Sequence, residues 1–222
     1  MSLNYLALII LVFGLGLGSQ LLVRSAYRKW KKRPVSFGVS GADAARTMLN
    51  SYGLFNTTIV EVQGELNDHF DPRTNIVSLS REVYHGQTVS AVAIACHESG
   101  HAVQHEQQYL PAKLRASIFP AVSLASNMWV FVLLAGIFFS IIGLVYAAII
   151  LFCAVLVFQL VTLPVELDAT RRATSFIQNS GWLTQVEFGG AKSVLRSASM
   201  TYVAAAVASI LQLMYLLGVA RR

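Results

Sequence analysis

Two long runs of the chain carry no charged residue, and they constrain its fold more than any other feature. Residues 3–23 and 118–163 contain no Lys, Arg, Asp or Glu. A bilayer has a hydrocarbon core about 30 Å thick, so a helix needs about 20 apolar residues to cross it. The first run suits one span. The second is long enough for a hairpin of two spans, with its turn near residues 140–143. The sequence therefore predicts an integral membrane protein.

Composition and charge support this class. Hydrophobic residues make up 55% of the chain and charged residues 13%, whereas about 25% charge is usual in soluble domains. The net charge of +6 is concentrated at residues 24–33, directly after the first apolar run. Basic residues mark the cytoplasmic side of a span, so we expect the N-terminus outside and residue 24 onward in the cytoplasm. We expect no nucleic-acid partner, because the lipid bilayer accounts for the basic cluster.

The first apolar run is expected to be a retained anchor. A cleaved signal peptide begins with a positive region and has a shorter apolar segment, but here the positive charge follows the run. The last apolar run, residues 199–219, is a candidate fourth span. Cys96 and Cys153 are expected to be buried thiols, because they form no disulfide framework and no cysteine-based metal motif.

The polar segments predict a small mixed domain. Ser40 with Asp43 three residues later is typical of a helix N-terminus. Thr88 or Ser90 is expected to cap a longer helix. Glycines at 181, 189 and 190 are expected to break the later polar stretch into short helices. The predicted elements are a helix to about Leu49, a strand over 59–63, a β-hairpin of strands 66–70 and 75–79, and a helix over 88–107.

The most informative motif is His97-Glu98-Ser99-Gly100-His101, which lies on the predicted helix over 88–107. Residues i and i+4 share a helix face, so both imidazoles can bind one Zn²⁺ at about 2 Å. Zinc lowers the pKa of its water to about 7 and polarises a scissile carbonyl. Glu98 can take the proton and pass it to the leaving amine. The pattern indicates a zinc hydrolase with Glu98 as the catalytic base.

A catalytic zinc also needs a third protein ligand and an open position. Extended metzincins are excluded, because position 107 is Gln107 rather than their third His. His105 lies one turn further along the same face and is expected to support a ligand or to lie at the surface. Glu166 emerges from the membrane hairpin on the side of the histidine helix and would complete a thermolysin-type set of ligands. The alternative for Glu166 is an ordinary carboxylate at the membrane–water boundary.

Three segments together resemble the YugP-type membrane-bound zinc metallopeptidases, relatives of the HtpX and CAAX prenyl protease gluzincins. The segments are DHFDPRTNIVSLS from residue 68, CHESGHAVQH from residue 96 and LPVELDATRRA from residue 163. The resemblance implies one zinc ion per chain, held by His97, His101 and Glu166, with Glu98 as the base. We expect a bacterial inner (plasma) membrane protein, and the charge bias places its active site on the cytoplasmic side.

The chain departs from HtpX-type enzymes at one position. They carry an Asp four residues after the ligand Glu, where this chain has Thr170. Asp168 is the remaining candidate to orient a zinc histidine. Arg171 or Arg172 could stabilise the oxyanion or bind a substrate carboxylate, or both could be membrane anchors.

The predicted hairpin is a candidate substrate-binding element. An edge strand beside the metal helix could hold an extended peptide by β-augmentation, or the hairpin could simply pack on that helix. Tyr84 and His85 are weaker candidates that could point into the cleft. The substrate-binding candidates on the hairpin are His69, Asn75 and Val77.

These observations predict a mainly α-helical membrane protein with three to four transmembrane helices. The HExxH helix and a small β-hairpin or sheet form a gluzincin-like catalytic domain. The predicted divisions are an N-terminal transmembrane anchor (1–23), a metallopeptidase domain (24–117), a transmembrane hairpin (118–163), a second catalytic segment with the third ligand (164–198) and a C-terminal apolar helix (199–222).

The predicted function is a zinc endopeptidase that cleaves membrane or juxtamembrane protein segments. Two alternatives stay open. In a site-2-type intramembrane protease, HExxH would lie within the bilayer, but polar residues at 104 and 106–108 leave no clean span there. In a non-catalytic zinc-binding scaffold, a fourth ligand such as His105 would close the site.

Overall fold

The computed structural model describes residues 3–220, which form long α-helices and one small β-sheet. This confirms the mainly helical class expected from the sequence. The described elements, in chain order, are α1 (Leu3–Lys31), α2 (Gly41–Ser51), β1 (Thr58–Val62), β2 (His69–Asp71), β3 (Ile76–Ser80), α3 (Arg81–Tyr84), α4 (Val89–Glu106), α5 (Leu110–Phe138), α6 (Ile142–Ser180) and α7 (Gln185–Ala220).

Four helices within the described residues are long and apolar enough to cross a membrane. They contain the charge-free runs that predicted the spans, and the last apolar run belongs to the fourth of them. The predicted turn in the long run is also present, at residues 139–141, where Ser140 has φ +55°. The four helices cover Leu6–Lys31, Leu110–Phe138, Ile142–Ser180 and Gln185–Gly218.

The chain divides into two compact units. One contains the chain up to Gln20, Pro111–Pro164 and the chain from Thr201, and its described residues are mainly apolar helix. The other contains Leu21–Leu110 and Val165–Met200. The second unit therefore combines the sheet and α4 with the polar ends of α1, α6 and α7, and it contains every residue of the candidate site.

Helix α4 is the central helix of the second unit. Its N-cap is Thr88, whose hydroxyl accepts a hydrogen bond from the Ala91 backbone N–H, as predicted. Ala and Val residues on several of its faces are buried, and it packs against α2. Helix α2 begins at the predicted capping box, in which Ser40 and Asp43 exchange hydrogen bonds. Burial of α4 on several sides fixes the direction in which its polar side chains point.

The sheet has the order β1-β3-β2, with β1 parallel and β2 antiparallel to the central strand β3. The predicted hairpin is confirmed, but its first strand is shorter than the predicted 66–70. Leu66 has φ +59°, a left-handed conformation that extended strands do not adopt. The chain therefore enters the sheet only at His69, and β2 is a short edge strand.

One prediction about the later polar stretch is wrong. Gly181 does end α6, but Gly189 and Gly190 lie inside the continuous helix α7. At Gly190 the reason is packing: a Cβ there would lie 2.4 Å from the Trp30 ring. Gly190 thus lets α7 approach the indole closely, and the surrounding packing offsets the low helix propensity of glycine.

Candidate metal centre

Two helices of the second unit face each other along a seam that contains the site. On α4, His97, Gly100, His101 and Gln104 have the spacing i, i+3, i+4 and i+7, which places them on one face. Each of them contacts α6 within residues 165–169. We call these contacts the α4–α6 seam. A single helical stripe therefore presents both histidines of the HExxH motif to α6.

The seam brings together the three residues expected to bind zinc. His97 Nε2 lies 3.3 Å and His101 Nε2 lies 3.7 Å from Glu166 Oε2. The two imidazole rings are 4.9 Å apart and nearly perpendicular. The Glu166 side chain is 3% exposed, so the carboxylate reaches the histidines from inside the fold. Among residues 3–220, no fourth His, Cys, Asp or Glu joins this group of candidate ligands.

The spacing of these atoms fits a divalent metal ion. Tetrahedral zinc with ligand bonds of about 2.0–2.1 Å separates its ligand atoms by about 3.3 Å. The distances of 3.3 and 3.7 Å to Glu166 are close to that value. Two imidazole nitrogens and a carboxylate oxygen are also a donor set that zinc commonly uses at catalytic sites. The three residues could therefore hold zinc and leave one position open.

The electrostatics of the site favour a cation. Burial lowers the pKa of His101, but the Glu166 and Glu98 carboxylates raise it by more, so the net shift is upward. A histidine with a raised pKa in a buried site indicates excess negative potential. His97 Nδ1 is buried and has no hydrogen-bond partner among the described residues. A positive ion bound between the imidazoles and Glu166 would compensate that potential.

Glu98 follows His97 on α4 and is half-buried. Asp68, just before β2, lies near enough for the Glu98 charge to affect it. The pKa of Asp68 is raised, mainly by burial and to a smaller extent by Glu98. Ser80 opposes this shift by donating to Asp68 Oδ1 from its backbone N–H at 2.7 Å and from its hydroxyl at 3.0 Å. A half-buried acidic group next to the sheet therefore lies within electrostatic range of the candidate base.

Asp168 and both arginines form a cluster at the end of the seam. Arg171 and Arg172 each bind the Asp168 carboxylate. Arg172 also donates to Gln107 Oε1 at 2.7 Å, whereas the Arg171 side chain is 78% exposed. Within the described residues, Asp168 forms no hydrogen bond or ion pair with a histidine, and it is connected to His101 only through the Gln104 amide.

The remaining predicted residues lie outside the three-ligand group. His105 is exposed, and its ring is 5.8 Å from that of Phe70. His69 is exposed on β2. His85 is also exposed, where it binds Glu61 at 2.8 Å and contacts the Tyr84 ring.

The two other hairpin candidates differ in their surroundings. Asn75 precedes β3 with φ +56°, and its side chain accepts a hydrogen bond from Thr57. Val77 is fully buried in the central strand, where it pairs with residues on both neighbouring strands. Of the hairpin candidates, His69 is the one whose side chain is exposed on an edge strand.

Sequence reasoning missed three residues of the site. Gly100 lets the helices approach, because a Cβ there would lie 3.0 Å from the Ala169 carbonyl oxygen. Gln104 is 1% exposed and connects both helices, and Gln107 binds Arg172. The signal for the first two was their helical spacing from His97, and Gln107 continues the same stripe by one more turn.

Comparison with known proteins gives two matches and one negative result. Residues 5–221 match the family described as "Putative neutral zinc metallopeptidase". The chain is 40% identical over 210 residues to the "Putative membrane protease YugP" of Bacillus subtilis (strain 168), a match that covers 95% of this chain and 93% of that protein. No solved structure matches the chain. The two matches confirm the resemblance inferred from the three sequence segments.

Proposed function

The chain belongs to the neutral zinc metallopeptidase family, and from that membership we propose that it is a membrane-bound zinc endopeptidase of the gluzincin type. The observation that carries the proposal is the approach of His97 Nε2 and His101 Nε2 to one buried oxygen of Glu166, at 3.3 and 3.7 Å. The proposed ligands of one zinc ion are these three side chains. The proposed substrates of the enzyme are membrane or juxtamembrane protein segments.

The proposed reaction is hydrolysis of a peptide bond with Glu98 as general base. Glu98 takes a proton from the water whose oxygen attacks the scissile carbonyl carbon, and it delivers that proton to the nitrogen as the carbon–nitrogen bond breaks. A bound zinc ion would polarise the carbonyl and lower the pKa of the attacking water. The position of Glu98 next to His97, half-buried rather than enclosed, supports this role.

The edge strand β2 is the proposed binding element for the substrate backbone. Within the described residues β2 pairs only with β3, on one side, and it contacts α4. An extended peptide could add to its other side by β-augmentation, which aligns one amide at a time with a fixed site. The exposed His69 lies on this strand. Strand β3 has no free edge, because β1 and β2 flank it.

The proposed location is the cytoplasmic surface of a bacterial plasma membrane. Helix α6 begins at Ile142 and carries no charged residue until Glu166. At 1.5 Å per residue, its uncharged part is about 36 Å long, which is enough to cross a bilayer. Glu166 follows this part directly, so the proposed ligand lies near the end of a membrane-spanning segment. Substrates close to the membrane surface would reach such a site most readily.

Replacement of the base tests the proposed chemistry. Glu98→Gln should keep zinc and lose about 10²–10⁴-fold in peptide hydrolysis, since the amide cannot accept the proton. Glu106→Gln, a matched change at an exposed position of the same helix, should keep both its zinc and the wild-type rate of peptide hydrolysis. Hydrolysis at the wild-type rate by zinc-loaded Glu98→Gln protein would refute the base. Purified wild-type protein with neither zinc nor peptidase activity would refute the proposed function as a whole.

Cysteine labelling tests the proposed location against a site within the bilayer. Glu106 and Gln108 are exposed near the end of α4, and each can be replaced by Cys in a chain that lacks Cys96 and Cys153. A membrane-impermeant thiol reagent should label both positions in inverted vesicles and neither in intact cells. Labelling in neither preparation would favour an intramembrane protease. Labelling in intact cells would place the site on the outer side.

A further inference from the structure

Gln104 is a buried polar residue that the proposed chemistry does not use. It is 1% exposed, and its amide makes three hydrogen-bond contacts. Nε2 donates to the Val165 carbonyl oxygen at 2.7 Å and to Asp168 Oδ2 at 3.0 Å, while Oε1 lies 3.0 Å from His101 Nδ1. A buried amide usually keeps its position only when its donors and acceptors are matched. Gln104 meets that condition by connecting both helices of the seam.

The three contacts determine which way the amide points. An amide nitrogen has two hydrogens, and both of its partners here, a carbonyl and a carboxylate, are acceptors. The reversed amide would turn its oxygen towards those two acceptors and would lose both hydrogen bonds. The Gln104 oxygen therefore faces His101 Nδ1, and because an oxygen only accepts, Nδ1 must carry the hydrogen.

This arrangement selects one tautomer of His101. When Nδ1 of a neutral imidazole carries the hydrogen, the lone pair is on Nε2. Nε2 is the atom that lies 3.7 Å from Glu166 Oε2. A lone pair directed at a buried carboxylate is unfavourable unless a cation lies between them. Gln104 therefore prepares Nε2 of His101 to bind a metal ion.

Asp168 contributes to the orientation of His101 only through Gln104. Its carboxylate is held by Arg171 and Arg172, and it accepts a hydrogen bond from Gln104. Thr170 cannot replace it, since its hydroxyl is bound to Ser199 at 2.8 Å. The usual carboxylate–histidine contact of zinc sites is thus extended here by one amide.

We propose that Gln104 is the positioning residue of His101, which it holds in the Nδ1–H tautomer and couples to Asp168. The proposal rests on the proposed zinc site. His97 offers a contrast within the same site, since its Nδ1 is buried without a partner among the described residues. Only one of the two histidines is held in this way, so loss of Gln104 would leave neither of them oriented by a hydrogen bond at Nδ1.

Zinc affinity of Gln104 variants, measured by competition with a chromogenic chelator, tests the proposal. Gln104→Leu removes all three contacts at similar volume and should weaken zinc binding by about 10–100-fold. Gln104→Glu keeps an acceptor for Nδ1–H and should bind zinc more tightly than Gln104→Leu. The matched control is Glu106→Leu, which places the same side chain at an exposed position of the same helix and should bind zinc as the wild type does.

The apo proteins separate a positioning role from a structural one. A purely structural role would lower the melting temperature of apo Gln104→Leu without changing the zinc affinity of the folded protein. Wild-type zinc affinity in a folded Gln104→Leu variant would overturn the proposal. If wild-type protein binds no zinc, the proposed function fails first, and the two failures are therefore distinguishable.

A measurement on the wild type does not depend on the folding of any variant. Nitrogen-15 NMR of histidine-labelled, zinc-loaded protein should show His101 protonated at Nδ1 and bound to the metal through Nε2. The opposite assignment, with zinc on Nδ1 and the proton on Nε2, would overturn the proposal.

Discussion

Gly100 of α4 faces the carbonyl oxygen of Ala169 on α6 with little room for a larger residue, since a Cβ at position 100 would lie 3.0 Å from that oxygen. The contact lies in the same seam as Glu166 and both motif histidines. The distance between the two helices at this point therefore controls whether the carboxylate can reach the imidazoles.

Enlarging residue 100 should open the candidate metal centre. We expect Gly100→Val to cost about 1–3 kcal/mol of stability through overpacking and to reduce bound zinc, with a smaller effect for Gly100→Ala. The measurements are thermal unfolding and metal content of the purified protein. Gly189→Val is the control, because no neighbouring atom lies within 4 Å of a Cβ there. Unchanged zinc content in Gly100→Val would mean that zinc binding does not need the close approach of α4 to α6 at this position.

Replacement of single ligands should distinguish an open zinc site from a closed one. Glu166→Gln should lose most of its zinc, because a neutral amide is a poor ligand for the ion. His105→Ala should keep its zinc, since His105 is exposed and lies outside the three-ligand group. Metal analysis of both purified variants is the measurement. Loss of zinc only from His105→Ala would support the non-catalytic scaffold.

Two adjacent glycines of α7 should respond to alanine in opposite directions. At Gly190 a Cβ would lie 2.4 Å from the Trp30 ring, whereas at Gly189 it would meet nothing within 4 Å. Gly190→Ala should therefore lower the melting temperature. Gly189→Ala should leave it unchanged or raise it, because alanine is favoured over glycine in a helix by about 1 kcal/mol. A destabilised Gly189→Ala alongside an unaffected Gly190→Ala would contradict this packing.

Asp68 should make stability depend on pH. Burial raises the pKa of Asp68, so the folded state holds its proton more tightly than the unfolded state does. Its stabilising contribution is complete below the unfolded pKa of about 3.9 and is lost as the pH rises through the higher folded value. Asp68→Asn keeps the shape, and its oxygen can still accept from the Ser80 backbone N–H.

The expected result is a higher melting temperature for Asp68→Asn than for the wild type at pH 7. The difference between the two proteins should shrink as the pH falls towards about 4. Thermal unfolding of both proteins across this range is the measurement. A variant that is less stable than the wild type at pH 7 would show that the Asp68 charge is favourable where it lies.

Local signals in the sequence were sufficient for many elements of the fold. Absence of charge over residues 3–23 and 118–163 predicted helices of membrane-spanning length, and Ser40 and Thr88 identified two helix starts because caps depend on neighbouring residues. Turn residues located the hairpin. The predictions were wrong at Gly189 and Gly190, which both lie inside α7. At Gly190 a glycine is needed because of the Trp30 ring, which is far away in the sequence.

The sequence by itself determined that His97, Glu98 and His101 share one helix, because that spacing is local and periodic. Only the tertiary structure decided that Glu166 lies against both imidazoles, and the role of Glu166 as a ligand remains a prediction. Gln104 and Gly100 were overlooked for a related reason. Their importance comes from Asp168 and Ala169 across the seam. Contacts between residues more than 60 positions apart in the chain leave no mark in local composition.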